Sequence, residues 1–232
     1  MKTPTIVAHR GLHDEYPENS LKAMLAAWDA GIAWCECDVR GSLEHEPMLI
    51  HDESLERTTT GSGLVHQTSS TILHALNLRY QGGAIAAMCI PRFGTVMTSM
   101  PVHAKLLIEI KPKLAEDVVR RTLDLCRPES CVVQSFDPGV LWTAFACRPD
   151  VRLELLVEDA RETIPAGPWR AVNADFKSLT ADVMRRRRDR DYAVGAWTVN
   201  ADEDIRRILS LEVDRIISDR PLRVRDICEE IG

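Results

Sequence analysis

The chain has 232 residues, a net charge of −6 and a hydrophobic fraction of 45%. The apolar content supports an ordinary buried core, and the length suits one large domain over 1–232, since α/β barrels run to roughly 250 residues without splitting. The acidic balance argues against a general nucleic-acid surface, and no run approaches the ~18 apolar residues of a membrane span.

The N-terminal MKTPTIVAHRG lacks an apolar stretch long enough for a signal peptide. The seven cysteines show neither CxxC nor zinc-type spacing. Most sit inside apolar runs, where a free thiol behaves as a small hydrophobe. A reducing, cytoplasmic setting is expected.

Short β-branched runs predict strands at 5–9, 33–39, 105–111, 131–136, 152–157, 171–176, 194–199 and 214–219. Helical patterns separate most of them: NSLKAMLAAWDAG, with Asn19 or Ser20 as the cap and Gly31 as the stop, then LAEDVVRRTLDLC and DEDIRRILSLE. Eight strands alternating with helices predict a closed (β/α)8 TIM barrel. A ninth run, PMLIHD (47–52), follows the second strand too closely for a parallel crossover. It is expected to return antiparallel, as an accessory hairpin strand carrying His51 back toward the mouth. Residues 53–103 form an irregular insertion with a short helix near 70–80 and loop signals in TTTGSG and QGG. The run MRRRRDRD (184–191) reads as a solvated helix face.

The stretch WCECD (34–38) poses the chemical question. Alternation puts Glu36 and Asp38 on one face and Cys35 and Cys37 on the other. In a barrel the acids point inward, near the strand's C-terminal end, and the cysteines face the helices. Two such acids could ligate a divalent cation or be neutralised by a lysine or arginine. KLLIEIK adds Glu109 and Lys111 on the inward face of the next barrel strand. Three inward carboxylates repel one another, and one lysine does not balance them, which favours a single site for a hard divalent cation, Mg²⁺ or Ca²⁺. His9 and Arg10 end the first strand. Two histidines, His9 and His51, beside a cation can serve as acid and base. Arg10 and Lys111 there suit an anionic, phosphoryl substrate. The other histidines, His13, His45, His66, His74 and His103, receive no role. No Walker loop, GxSxG elbow or dinucleotide fingerprint is present.

AHRG, PENS, ECD, IHDESLERTTTGSG, IEIK, QSF, AWTVN and ISDRP occur in the order seen in glycerophosphodiester phosphodiesterases, and the chain resembles that family from about residue 6 to residue 221. The resemblance implies a (β/α)8 barrel with a small insertion that hydrolyses glycerophosphodiesters to glycerol 3-phosphate and an alcohol. It makes His9 and His51 the acid/base pair and Glu36, Asp38 and Glu109 the metal ligands. It places Arg10 and Lys111 at the phosphate, gives Glu18 an organising role by hydrogen bonding, and sets Phe136 and Trp197 at the mouth. The partner implied is a small-molecule glycerophosphodiester; oligomeric state is not read from the sequence. This chain has Ser20 where the family usually has threonine, and Arg92, Phe93, Gly94 and Thr95 follow Ile90-Pro91 where the family has threonine, leucine and acids. The second departure bears on substrate preference. Alternative readings are a phospholipase D-like barrel acting on lysolipids and a non-catalytic phosphodiester-binding barrel; the complete set of histidines and carboxylates argues against the latter.

Overall fold

The computed structural model describes residues 3–232. Strand β1 (Thr5–Ala8) leads into helix α1 (Leu21–Asp29), and β2 (Trp34–Gly41) lies parallel beside β1. Ser20 caps α1, its hydroxyl accepting from the Ala23 amide at 3.1 Å, and Gly31 follows the helix at φ +84°. The neighbouring Asn19 is thereby left for another task.

β3 (Pro47–Leu49) returns antiparallel on β2, with Val39 opposite Leu49 and Gly41 opposite Pro47. It is shorter than the run 47–52 suggests, but its direction is the expected one. The Ile50 amide still donates to the Asp38 carbonyl at 3.1 Å, so His51 arrives beside the end of β2.

The stretch read as irregular holds α2 (Ser70–Ala75), a hairpin of β4 (Asn77–Arg79) and β5 (Ile85–Cys89), and α3 (Phe93–Ser99). The helix near 70–80 matches expectation. The hairpin does not, because IAAMC has no polar–apolar alternation and NLR is only three residues long. Its turn is the QGG signal, where Gly82 and Gly83 adopt φ of +91° and +90°.

β6 (Lys105–Ile110), α4 (Glu116–Leu125), β7 (Cys131–Ser135), α5 (Pro138–Cys147), β8 (Arg152–Val157), β9 (Ala171–Asp175), α6 (Ala181–Arg188), β10 (Ala193–Trp197), α7 (Asp202–Ser210), β11 (Arg215–Ser218) and α8 (Pro221–Ile231) complete the chain. Parallel strands β1, β2 and β6 to β11 form a closed eight-stranded barrel, sealed where β1 pairs with both β11 and β2.

One crossover departs from the repeat. Residues 158–170, between β8 and β9, contain no helix. Pro165, Gly167 and Pro168 break helical hydrogen bonding there, and buried Ile164 and Trp169 cover the barrel instead. A Cβ on Gly167 would lie 2.0 Å from the Trp169 ring. The arginine run is only partly the solvated face expected of it. Arg187 is 6% exposed and donates to the carbonyls of Ala160 and Glu162, the latter at 2.6 Å, tying the helix-free crossover to α6.

Alternation along the strands builds two cores. On β6, Leu106, Ile108 and Ile110 join the shell between barrel and helices, together with Cys35 and Cys37. Leu107 faces inward with Val7, Val132 and Ile217. The cysteines of WCECD are packing residues, and Cys35 Sγ lies 3.7 Å from the Met24 carbonyl on α1. Each buried side chain of this size contributes roughly 1.5–3 kcal/mol of transfer free energy.

Candidate active site

The mouth opens at the C-terminal ends of the barrel strands, where barrels of this class keep their sites. A cavity of about 170 Å³ is lined by His9, Arg10, Glu36, His51, Glu109, Lys111, Gln134, Phe136, Leu156, Trp197, Thr198 and Ile217. Eight of the ten residues singled out from sequence have this wall in common. Asp38 is fully buried just behind it, and Glu18 stands outside, on Arg10.

The turn after β1 sets the first group. Arg10 and Gly11 take φ of +56° and +83°, and a Cβ on Gly11 would lie 2.6 Å from the Ala23 backbone, so only glycine passes. This turn aims the Arg10 amide at Glu36 Oε2, 3.1 Å away. The Arg10 guanidinium lies 3.1 Å from Asp38 Oδ2 and donates to Glu18 Oε1 at 2.8 Å.

His9 Nδ1 is 2.6 Å from Asp219 Oδ1, and His13 Nε2 is 2.8 Å from the same oxygen. An ionised carboxylate only accepts, so both rings donate. Gln81 Nε2, from the insertion hairpin, lies 2.7 Å from His13 Nδ1 and donates to it. Asn200 completes the cluster, donating to Asp219 Oδ2 at 2.6 Å and accepting from the Asp219 amide at 2.9 Å. Burial opposes ionisation of Asp219, but hydrogen bonds from His13 and His9 outweigh it and hold the carboxyl well below the usual range. With Nδ1 committed, His9 turns Nε2 into the cavity, 3.9 Å from Glu36. His9, His13 and Asp219 satisfy one another by hydrogen bonding without a cation.

His51 repeats the arrangement. Its Nδ1 lies 2.7 Å from Asp52 Oδ1, and Asp52 in turn accepts from Arg57 at 2.5 and 2.8 Å. Arg57 also grips Glu18 through two bonds of 2.7 and 2.9 Å. A continuous chain of charge-assisted contacts therefore joins Asp38, Arg10, Glu18, Arg57, Asp52 and His51. Burial is the largest influence on both His9 and His51 and lowers both below the ordinary imidazole range.

Glu36, Asp38 and Glu109 present ligand atoms that all lie within 4.8 Å of one another. Lys111 Nζ stands between two of them, 2.5 Å from Asp38 Oδ1 and 2.6 Å from Glu109 Oε1. Asn19 holds Asp38 from behind, donating to Oδ2 at 2.8 Å and accepting from its amide at 3.0 Å. Burial opposes ionisation of Asp38, yet Lys111 and Arg10 outweigh it and keep that carboxyl well below its usual range. Burial and then the charges of Asp38 and Glu109 push Glu36 far upward. Burial and Asp38 push Glu109 up to about 7. The cluster is short of positive charge, and its donors are hard oxygens. A divalent cation of the Mg²⁺ or Ca²⁺ kind fits both facts.

Phe136 and Trp197 meet edge to face at 5.5 Å in the cavity lining, and Trp197 Nε1 donates to the Asn173 carbonyl at 3.0 Å. Several partners escaped sequence reading. Asp219 sits in the quoted ISDRP, at the end of the eighth barrel strand, and its position was the available signal. His13, given no role, is a buried partner of Asp219; nothing local to it marks that contact. Asn19 serves the site rather than the helix cap. Asn200, Arg57 and Gln134 also lie in quoted motifs, AWTVN, IHDESLERTTTGSG and QSF, and that membership was the available signal.

The chain matches the model of the Glycerophosphoryl diester phosphodiesterase family over residues 9–223. It is 29% identical to a glycerophosphodiester phosphodiesterase of Bacillus altitudinis, across 97% of this chain and 98% of that one. Its fold is similar to that of the Agrobacterium tumefaciens glycerophosphodiester phosphodiesterase, with a TM-score of 0.81, 23% identity and coverage of 96% and 99%. It is also similar to an Oleispira antarctica phosphodiesterase solved with the product sn-glycerol-3-phosphate, with a TM-score of 0.86, 22% identity and 97% coverage of each. With motifs, fold and family match in agreement along nearly its whole length, the chain belongs to the glycerophosphoryl diester phosphodiesterase family.

Proposed function

We propose that the protein hydrolyses glycerophosphodiesters to sn-glycerol 3-phosphate and an alcohol, using a divalent cation held by Glu36, Asp38 and Glu109. The observation that carries this reading is the pairing of two carboxylate-anchored histidines with a buried three-carboxylate cluster in one cavity. When bound, the cation draws charge from a phosphoryl oxygen and offsets the negative charge that grows in the transition state. Arg10 and Lys111 add fixed positive charge to the same wall and receive the anionic phosphate.

His9 and His51 each keep Nδ1 on a carboxylate and Nε2 free. One imidazole takes the proton from the nucleophile, either water or the substrate's own glycerol hydroxyl, and the other gives a proton to the departing alkoxide. Burial lowers both pKa values, which suits the imidazole that acts as base; the one that acts as acid carries its proton on Nε2 until the alkoxide departs. Glu18 keeps Arg10 and Arg57 in place, and Phe136 and Trp197 form an apolar wall for the organic part of the substrate.

No helix among the described residues is long and apolar enough to cross a membrane. The seven cysteines are unpaired, which suits a reducing compartment, and we place the protein in the cytoplasm. The reading is tested by incubating the protein with glycerophosphocholine and measuring glycerol 3-phosphate. Release that stops with chelator and returns with Mg²⁺ or Ca²⁺ is expected. Release untouched by chelation would remove the cation from the proposal.

A further inference from the structure

The arginines at the end of α6 divide between two faces. Arg185 pairs with Asp182, and Arg188 donates to the carbonyls of Leu211 and Glu212 at 3.1 and 2.8 Å. Cations in the last turn of a helix also suit its dipole. Neither point accounts for Arg186, Arg187 and Arg190. These turn toward the helix-free crossover, where with Arg161 they line a cavity of about 300 Å³ on the outside of the barrel. It shares no residue with the active-site cavity.

The charges in this cavity do not cancel. Glu162 and Asp189 also line it, but among the described residues neither carboxylate pairs with an arginine. Arg161 is held by Asp159 at 2.6 Å. Arg186 reaches Asp182 only at 3.5 Å, and Arg185 holds the same carboxylate. The Arg190 side chain has no acceptor among the described residues. Arg187 is 6% exposed and has no carboxylate partner there either. Its Nη2 donates to the carbonyls of Ala160 and Glu162, and its Nε is sealed without an acceptor. Nη1 makes no bond to protein and is not among the sealed atoms, so the cavity reaches it. Burial, and then the charges of Arg190 and Arg186, hold this guanidinium below its ordinary range. A buried cation crowded by like charges, with donors to spare, is stabilised by an anion.

The kind of anion follows from the donors. Guanidinium forks match the oxygens of a phosphate two at a time. Four of them against two acids suit more than one negative charge, which a single carboxylate does not supply. We infer that Arg161, Arg186, Arg187 and Arg190 form a second binding site, for a multiply charged phosphate group, either free or on a lipid headgroup.

The test leaves Arg187 in place, because it ties the crossover to α6, and uses Arg190→Gln and the double variant Arg186→Gln/Arg190→Gln, with folding checked by Tm. Calorimetry at constant ionic strength measures pyrophosphate binding to metal-free protein. Loss of one charge-assisted contact is expected to weaken binding about tenfold in Arg190→Gln and about a hundredfold in the double variant. Glycerophosphocholine turnover without added anion is expected to stay within twofold, since neither residue lines the active-site cavity. Flotation with phosphatidylcholine vesicles, with and without phosphatidic acid, separates the two sources. Binding to the phosphatidic acid vesicles that both variants lose assigns a lipid headgroup, and pyrophosphate binding without vesicle binding assigns a soluble phosphate. No pyrophosphate binding by wild type, or equal affinity in all three proteins, would overturn the site. Turnover that fell in step with pyrophosphate affinity would also overturn it, by placing the probe in the active site.

Discussion

Asp219 Oδ1 lies 2.6 Å from His9 Nδ1 although 210 residues separate the two in sequence. The contact fixes the ring's tautomer and points Nε2 at the cavity, the logic by which outer carboxylates orient functional histidines. Asp219→Asn keeps the shape and removes the charge that favours Nδ1–H donation. Loss of about 10–100-fold in kcat is expected, with KM changed less, because orientation of a proton-transfer group is lost rather than substrate affinity. Steady-state kinetics on glycerophosphocholine checks this; an unaltered kcat would mean that His9 needs no anchor.

The same carboxylate carries a pH signature. Its folded-state pKa is depressed, so its stabilising contribution is fully present above the ordinary aspartate value near ~4 and is lost as pH falls through the folded value. Wild-type Tm is therefore expected to drop more steeply between pH 5 and pH 3 than the Tm of Asp219→Asn. Thermal scans across that window decide it, and parallel slopes would contradict the assignment.

His13 links this anchor to the insertion hairpin through Gln81. His13→Ala removes one of the donors to Asp219 and frees its carboxylate to shift. A several-fold fall in kcat is expected, with a smaller fall for Gln81→Ala, which leaves His13 on Asp219 and removes only the hairpin's grip. Equal rates in all three proteins would reduce the cluster to packing.

How much of this was open to reading from the chain depends on the range of each interaction. Alternation in WCECD separated Glu36 and Asp38 from Cys35 and Cys37 because the strand period is local. The eight barrel strands and the antiparallel return bearing His51 followed from the same kind of short-range pattern and from loop length. The anchors did not. Asp219 reaches His9, Asn200 reaches Asp219, and Gln81 reaches His13 across barrel closure and hairpin placement, which no local period encodes. The crossover at 158–170 shows the other limit: Pro and Gly announce that a helix is absent, but not that Arg187 and Trp169 take over its packing.

That crossover makes a stability test. Gly167→Ala puts a methyl group 2.0 Å from the Trp169 ring. Overpacking of this kind costs about 1–3 kcal/mol, which in a domain of this size lowers Tm by roughly 2–12 °C. Activity at low temperature is expected to survive, since the cavity-lining residues are elsewhere. Calorimetric scanning beside an activity assay separates the two effects.

The most direct test of the account is a cation titration of glycerophosphocholine turnover in wild-type protein and Glu109→Gln side by side. The substitution removes one of three mutually repelling acids and leaves Lys111 on Asp38 at 2.5 Å, so the variant is expected to fold with an undiminished Tm. Wild-type turnover is expected to rise from near zero and saturate with added Mg²⁺ or Ca²⁺, while Glu109→Gln stays at least about a thousandfold lower throughout. A folded Glu109→Gln that turned over substrate like the wild type would contradict the three-carboxylate site.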